Sequence, residues 1–96
     1  MAEEIKFTIH QTGGSGELDQ VHDFLKTEKR IARISEQWGQ HYSVPDRDDL
    51  PEWEALWVYV KAKDFDDFKA YVDDLQDRLF AALGSQVMNK VSVMLA

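Results

Sequence analysis

The chain has 96 residues, 44% of them hydrophobic and 30% charged, which suits one domain around one core. Its 18 acidic residues outnumber its 11 basic ones, and the net charge of -7 disfavours general binding to nucleic acid or to anionic membranes, where a basic field does most of the work. There is no cysteine, which excludes disulfides, thiolate zinc sites and cysteine nucleophiles.

The opening residues Met1-Ala2-Glu3-Glu4 are acidic. No apolar run is long enough for a signal peptide or a membrane span, so the cytoplasm is the expected location. From Glu4 to His10 the chain alternates. Ile5, Phe7 and Ile9 point one way and Lys6, Thr8 and His10 the other, which predicts a half-buried strand. Thr12-Gly13-Gly14-Ser15-Gly16 then breaks it, as glycine clusters do.

Glu17 to Trp38 reads as a helix. At about 100° per residue, Val21, Phe24, Glu28, Ile31, Ser35 and Trp38 share one side, with Leu18, Leu25 and Ala32 flanking. Lys26, Lys29, Arg30 and Arg33 form a basic stripe nearly opposite. Ser15 is the expected cap and Gly39 the expected terminator. Gln40 to Val44 is a short candidate edge strand, stopped by Pro45, which cannot donate to a ladder. Pro45 to Glu54 is an expected loop holding Asp46, Asp48, Asp49, Glu52 and Glu54, with Trp53 among these acids.

The stretch Ala55 to Lys61 carries the clearest signal. Leu56, Val58 and Val60 fall on one face of a strand; Trp57 and Tyr59 fall on the other. A one-sided sheet shows small polar residues where these rings stand. Something is therefore expected to cover that second face. After Lys63, Asp64 caps a second helix with Asp67 three residues on. Phe65, Phe68, Val72, Leu75, Leu79 and Leu83 form its apolar face, and Asp66, Asp73, Asp74 and Asp77 its outer side. Gly84 ends it, and Val87 to Leu95 closes the chain as a strand with Val91, Val93 and Leu95 on one face.

The element order is β-α-β-β-α-β. The expected fold is a ferredoxin-like α+β sandwich: a four-stranded antiparallel sheet in order 4-1-3-2 with both helices on one face. If Gln40 to Val44 is coil, three strands remain. The expected core is Ile5, Phe7, Ile9, Val21, Phe24, Ile31, Leu56, Val58, Val60, Phe68, Val72, Leu75, Leu79, Val91 and Val93.

The face away from the helices would gather Lys6, Thr8, His10, Trp57, Tyr59 and Lys61, with Lys90, Ser92 and Met94 from the last strand and His41 and Ser43 from the second. Three occupants compete. A homodimer packing two such faces together suits Trp and Tyr, which bury large area while keeping a polar tip. Trp57, Tyr59, His10, Thr8 and Met94 are its expected interface. Single-stranded nucleic acid stacks bases on sheet aromatics, but the third strand lacks the glycine-and-aromatic pattern of an RNA-recognition motif and the overall charge opposes it. The last possibility is a cover supplied by a terminus or by the Pro45 to Glu54 loop.

Other chemistry has little support. His10, His22 and His41 fall on different elements without ligand spacing, and surface histidines are the simpler reading. Asp46-Arg47-Asp48-Asp49 lacks the glycine and terminal glutamate of a calcium loop. Gly13-Gly14-Ser15-Gly16 matches neither a phosphate loop nor a dinucleotide fingerprint, and Glu17 and Asp19 at the helix start repel an anion. No serine-nucleophile, HExxH or paired-carboxylate motif is present. No cofactor or metal is expected. Of the 18 acids, 11 lie between Asp46 and Asp77, which predicts an acidic surface able to steer a basic protein partner.

The expectation is thus a non-catalytic, homodimeric, inhibitor-like module. It would bind a protein through Asp66, Asp73, Asp74 and Asp77, helped by Asp46, Asp48 and Asp49. The alternative is a dimeric α+β barrel enzyme or ligand binder. Its pocket would lie between sheet and helices, lined by His10, His41, Tyr42, Trp38 or Trp57.

Overall fold

Alternation builds the centre of the sheet. In the computed structural model, which describes residues 3–12, 16–39 and 53–95, Glu3–Thr12 forms β1 and Trp53–Ala62 forms β3. The two pair antiparallel from Glu3↔Ala62 to Thr12↔Trp53. This register sets Ile5, Phe7 and Ile9 beside Val60, Val58 and Leu56 on one face. Ile31–Gly39 forms β2 on the far side of β3, and Ser92–Met94 forms β4 beside β1. The result is a four-stranded antiparallel sheet in order β2-β3-β1-β4. That is the expected order read from the other edge.

The helices Glu17–Leu25 (α1) and Phe65–Leu83 (α2) cover the aliphatic face. Leu18, Val21 and Leu25 of α1 and Phe68, Tyr71, Val72, Leu75 and Leu79 of α2 form one cluster with Phe7, Ile9, Leu56, Val58 and Val60. Each fully buried aliphatic or phenyl side chain contributes about 1.5–3 kcal/mol. Of the expected core, Ile5, Phe24, Ile31, Val91 and Val93 are only partly buried and pack around the cluster. Leu18, Leu25, Ala62, Tyr71 and Met88 belong to its centre. Phe65, at the margin of the α2 stripe, is 54% exposed.

The largest departure from expectation is the segment read as one helix from Glu17 to Trp38. The helix stops at Leu25. The amides of Thr27 and Glu28 donate to the carbonyls of Phe24 and Leu25 at 3.1 and 3.0 Å, tightening the last turn, and the Thr27 hydroxyl also donates to the Phe24 carbonyl. Ile31–Gly39 then pairs with β3 from Ile31↔Val60 to Gly39↔Trp53, with a bulge between Ile31 and Arg33. A helix through Trp38 would have left that edge of β3 unpaired. The bulge inserts one residue, so Ile31 and Ile34 face the same side although they stand three apart. That spacing imitates a helical period. Gly39 therefore ends a strand, and Lys26, Lys29, Arg30 and Arg33 do not form a helical stripe. Gln40 to Val44, read as the second strand, lies outside the described residues.

The helix starts follow capping chemistry. Ser15 lies outside the described residues; Gly16 occupies the N-cap of α1 with φ 96° and no side-chain cap bond. The buried Gln11 supplies the missing acceptor, since its Oε1 accepts from the Leu18 amide at 2.9 Å. For α2, Asp64 accepts from the Asp67 amide at 2.8 Å, as the sequence predicts. Gly84 ends α2 with φ 86°, a backbone state that favours glycine. The stretch read as a strand from Val87 to Leu95 is shorter. Ser85–Met88 is a one-turn helix (α3) that buries Met88, and pairing is confined to Ser92–Met94. Lys90, placed by expectation on the sheet, stands in the preceding turn.

Candidate interaction surfaces

The register decides what the second face of the sheet carries. Lys6 pairs with Tyr59, Thr8 with Trp57, and His10 with Ala55. On the other side Arg33 pairs with Tyr59, Ser35 with Trp57 and Gln37 with Ala55. Met94 and Ser92 lie beside Thr8 and His10. These residues share the face away from the helices, because partners across an antiparallel pair point the same way. All five residues expected at a dimer interface, Trp57, Tyr59, His10, Thr8 and Met94, are therefore brought onto one surface.

Trp57, Tyr59 and Trp53 are half-buried. Their partial shielding comes from neighbours on the same face. The Lys6 ammonium lies 4.3 Å from the Trp57 ring centroid, and the Arg33 guanidinium 4.0 Å from that of Tyr59. Arg33 also reaches the Glu4 carboxylate at 3.4 Å. The His10 imidazole stacks on Trp53 with centroids 6.3 Å apart. Ala55, small and buried, stands between Trp53 and Trp57 on this face. Trp53 was expected in a loop; it is the first residue of β3. Arg33 reaches this face only because its segment is a strand, which the helical reading concealed.

The acidic surface is the outer side of α2. Asp66, Asp73, Asp74 and Asp77 are all exposed. Phe80, 44% exposed, follows them one turn beyond Asp77. The apolar stripe of α2 does not include Phe80, so the sequence reading passed over it. Of the neighbouring cations, Arg78 pairs with Asp74 of this surface at 2.9 Å as well as with Glu28 at 2.7 Å, and Arg30 is held by Asp67 at 2.7 Å. Asp46, Asp48 and Asp49 lie outside the described residues.

Behind α2 these contacts make a polar clasp. Glu28 accepts from the Tyr71 hydroxyl at 2.7 Å as well as from Arg78. The Arg78 hydrogen bond is the main reason the Glu28 carboxyl sits below its ordinary value, with burial opposing and Tyr71 assisting. Burial, then Glu28, push the Tyr71 hydroxyl up to about 12. Arg30 lies over the Tyr71 ring at 4.6 Å, and its guanidinium also bonds the Lys61 carbonyl. The clasp ties the turn after α1 to α2 and β3.

The pocket expected between sheet and helices is filled by Phe7, Ile9, Val58 and Phe68, each no more than 2% exposed. The residues proposed to line it are not brought together: His10 and Trp57 lie on the opposite sheet face, Trp38 is 68% exposed at the edge, and His41 and Tyr42 lie outside the described residues. Among the described residues, depressions open at the margins. One, of about 60 Å³, is bordered by Leu18, Asp19, Glu36, Trp38, Glu54 and Leu56. Burial, then the nearby Asp19 and Glu36, hold the Glu54 carboxyl above its ordinary value. Another runs between α1 and β2 past His22, whose Nδ1 lies 2.9 Å from Glu36. Among the described residues no group of three or more metal-binding side chains converges, and no helix is long and apolar enough to cross a membrane. Comparison with protein-family models, with curated proteins and with solved structures gives no match.

Proposed function

We propose that this chain is a non-catalytic binding module on a ferredoxin-like framework, and that its contact surface is the open face of the sheet. The βαββαβ sequence of main elements and the strand order support that framework. One observation carries the functional reading. Both long helices pack on the aliphatic face, while Trp53, Trp57 and Tyr59 stand in line on the other with no described element across them. These rings are half-buried, and an aromatic patch left partly open on a sheet face in this way supports an interaction site there. A second copy of the chain is one candidate occupant.

The outer face of α2 supports a second reading, a docking surface for a basic protein. Its support is exposed Phe80 one turn beyond Asp77, at the end of the acidic stretch of α2: an apolar anchor beside a steering field.

Introduced thiols separate the two. The chain has no cysteine, so a single Ser35→Cys on the open face or Asp73→Cys on α2 reports one place. Maleimide labelling is compared between dilute purified protein and the same protein in an extract of its source cell. The sheet-face reading expects Ser35→Cys to be slowed in extract and Asp73→Cys to be unchanged. The reverse pattern contradicts it and favours α2. Protection of Ser35→Cys that grows with the concentration of the purified protein identifies a second copy as the occupant.

A further inference from the structure

We propose that the open sheet face binds single-stranded nucleic acid, one base to each of the rings of Trp57 and Tyr59, with Lys6, Arg33 and Lys61 on the phosphates. This rests on the reading of that face as the contact surface and names its partner. The whole chain carries -7, yet the described charged residues of this face are Lys6, Arg33 and Lys61 against Glu4 alone, so with Arg33 paired to Glu4 the face keeps the charge of Lys6 and Lys61 in excess. The four aspartates on the outer side of α2 belong to the layer behind the sheet. Near physiological ionic strength the Debye length is ~8 Å, so a strand lying on the sheet responds mainly to the charges it touches. A second copy would instead set this net-positive face against an identical net-positive face.

The geometry agrees with the charge. Trp57 and Tyr59 are two residues apart on one strand, so they stand about 6.8 Å apart. That is about twice the ~3.4 Å step between stacked bases along one strand of a duplex. Bases on these rings would be splayed, one per ring, as in single-strand recognition. Each ring already holds a planar or cationic group against its face: Lys6 on Trp57 at 4.3 Å and Arg33 on Tyr59 at 4.0 Å. A base stacking on the ring displaces the cation by only the length of its flexible side chain, toward the adjoining phosphate. Stacking on sheet aromatics tolerates any base, because every base has a π-face. The absence of an RNA-recognition-motif pattern therefore argues against sequence-specific reading and leaves this mode intact.

The test is quenching of tryptophan fluorescence by a ten-nucleotide oligothymidylate and by an oligouridylate of the same length, over a salt series, with inorganic polyphosphate as the charge control. The proposal expects saturable binding. It expects Trp57→Ala and Tyr59→Ala to weaken binding about tenfold or more each. Log affinity should fall with log salt at a slope of about -2 for three neutralised phosphates, and the exposed Lys61→Gln should reduce that slope by about 0.7. Circular dichroism confirms that the variants are folded, and Lys61→Gln keeps the test available if a ring variant is not. No binding at about 20 mM salt overturns the proposal. So does binding that polyphosphate matches and the ring variants leave unchanged. If oligonucleotide fails but the purified chain sediments as a dimer that the ring variants dissociate, the nucleic-acid assignment falls while the sheet-face reading stands. If neither binding nor association depends on the rings, both fall.

Discussion

Two carboxylates show how differently single residues act on this fold. Glu28 receives hydrogen bonds from Tyr71 and Arg78, and its side chain is only 14% exposed. Hydrogen bonds to charged groups contribute roughly 1.5–3 kcal/mol, so Glu28→Gln should lower stability by an amount in that range at pH 7. The Glu28 carboxyl is held below its ordinary value. Its contribution is therefore fully present above the unfolded value and is lost as pH falls through the folded one. Urea unfolding of wild type and variant should accordingly converge in acid. Glu54 is the opposite case. Its carboxyl is raised by burial and by Asp19 and Glu36, so folding takes up a proton there as pH falls through the raised value. Glu54→Gln should be more stable than wild type at pH 7, and the gap should close as the pH drops toward the ordinary carboxylate range. A variant less stable than wild type at pH 7 would show that the Glu54 charge has a favourable partner.

At the scale of elements, the legible parts were those where one period ran uninterrupted. Ile5, Phe7 and Ile9, then Leu56, Val58 and Val60, alternate without a break and form the paired centre of the sheet. Phe68, Val72, Leu75 and Leu79 keep the helical period, and each is at most 1% exposed. Leu75→Ala should therefore cost about 2–5 kcal/mol in urea or thermal unfolding, and a loss within error would mean that this helix face is not packed as described. The segment from Lys26 to Trp38 was illegible for a physical reason. The bulge after Ile31 turned a two-residue spacing into three, and a helix template then accepted Glu28 and Ser35 as apolar positions. The clue was the demand itself: a buried stripe that needs a glutamate and a serine is a poor stripe. The short α3 was hidden because Val87, Val91, Val93 and Leu95 are all partly buried without all being in a strand. The candidate surface was half legible. Trp57 and Tyr59 announced it, whereas Arg33 and Trp53 joined it only through pairings that span distant segments.

At the scale of the whole molecule, the fold divides the chain into unlike sides. The aliphatic sheet face and both long helices share one core, and the outer side of α2 carries exposed aspartates followed by Phe80. The other side carries Trp53, Trp57 and Tyr59 with Lys6 and Arg33 over two of the rings and Lys61 beside them. The net charge of -7 averages over this division and conceals it. The account stands on the aromatic side being the working surface. Its most direct test is sedimentation of wild type and of a Trp57→Ser, Tyr59→Thr double variant, each purified and in source-cell extract. Wild type should sediment faster than an 11.1 kDa monomer in extract, and the double variant should sediment as the monomer while keeping the wild-type circular dichroism. Equal sedimentation of the two folded proteins in extract would contradict the account and remove the open sheet face as the contact surface.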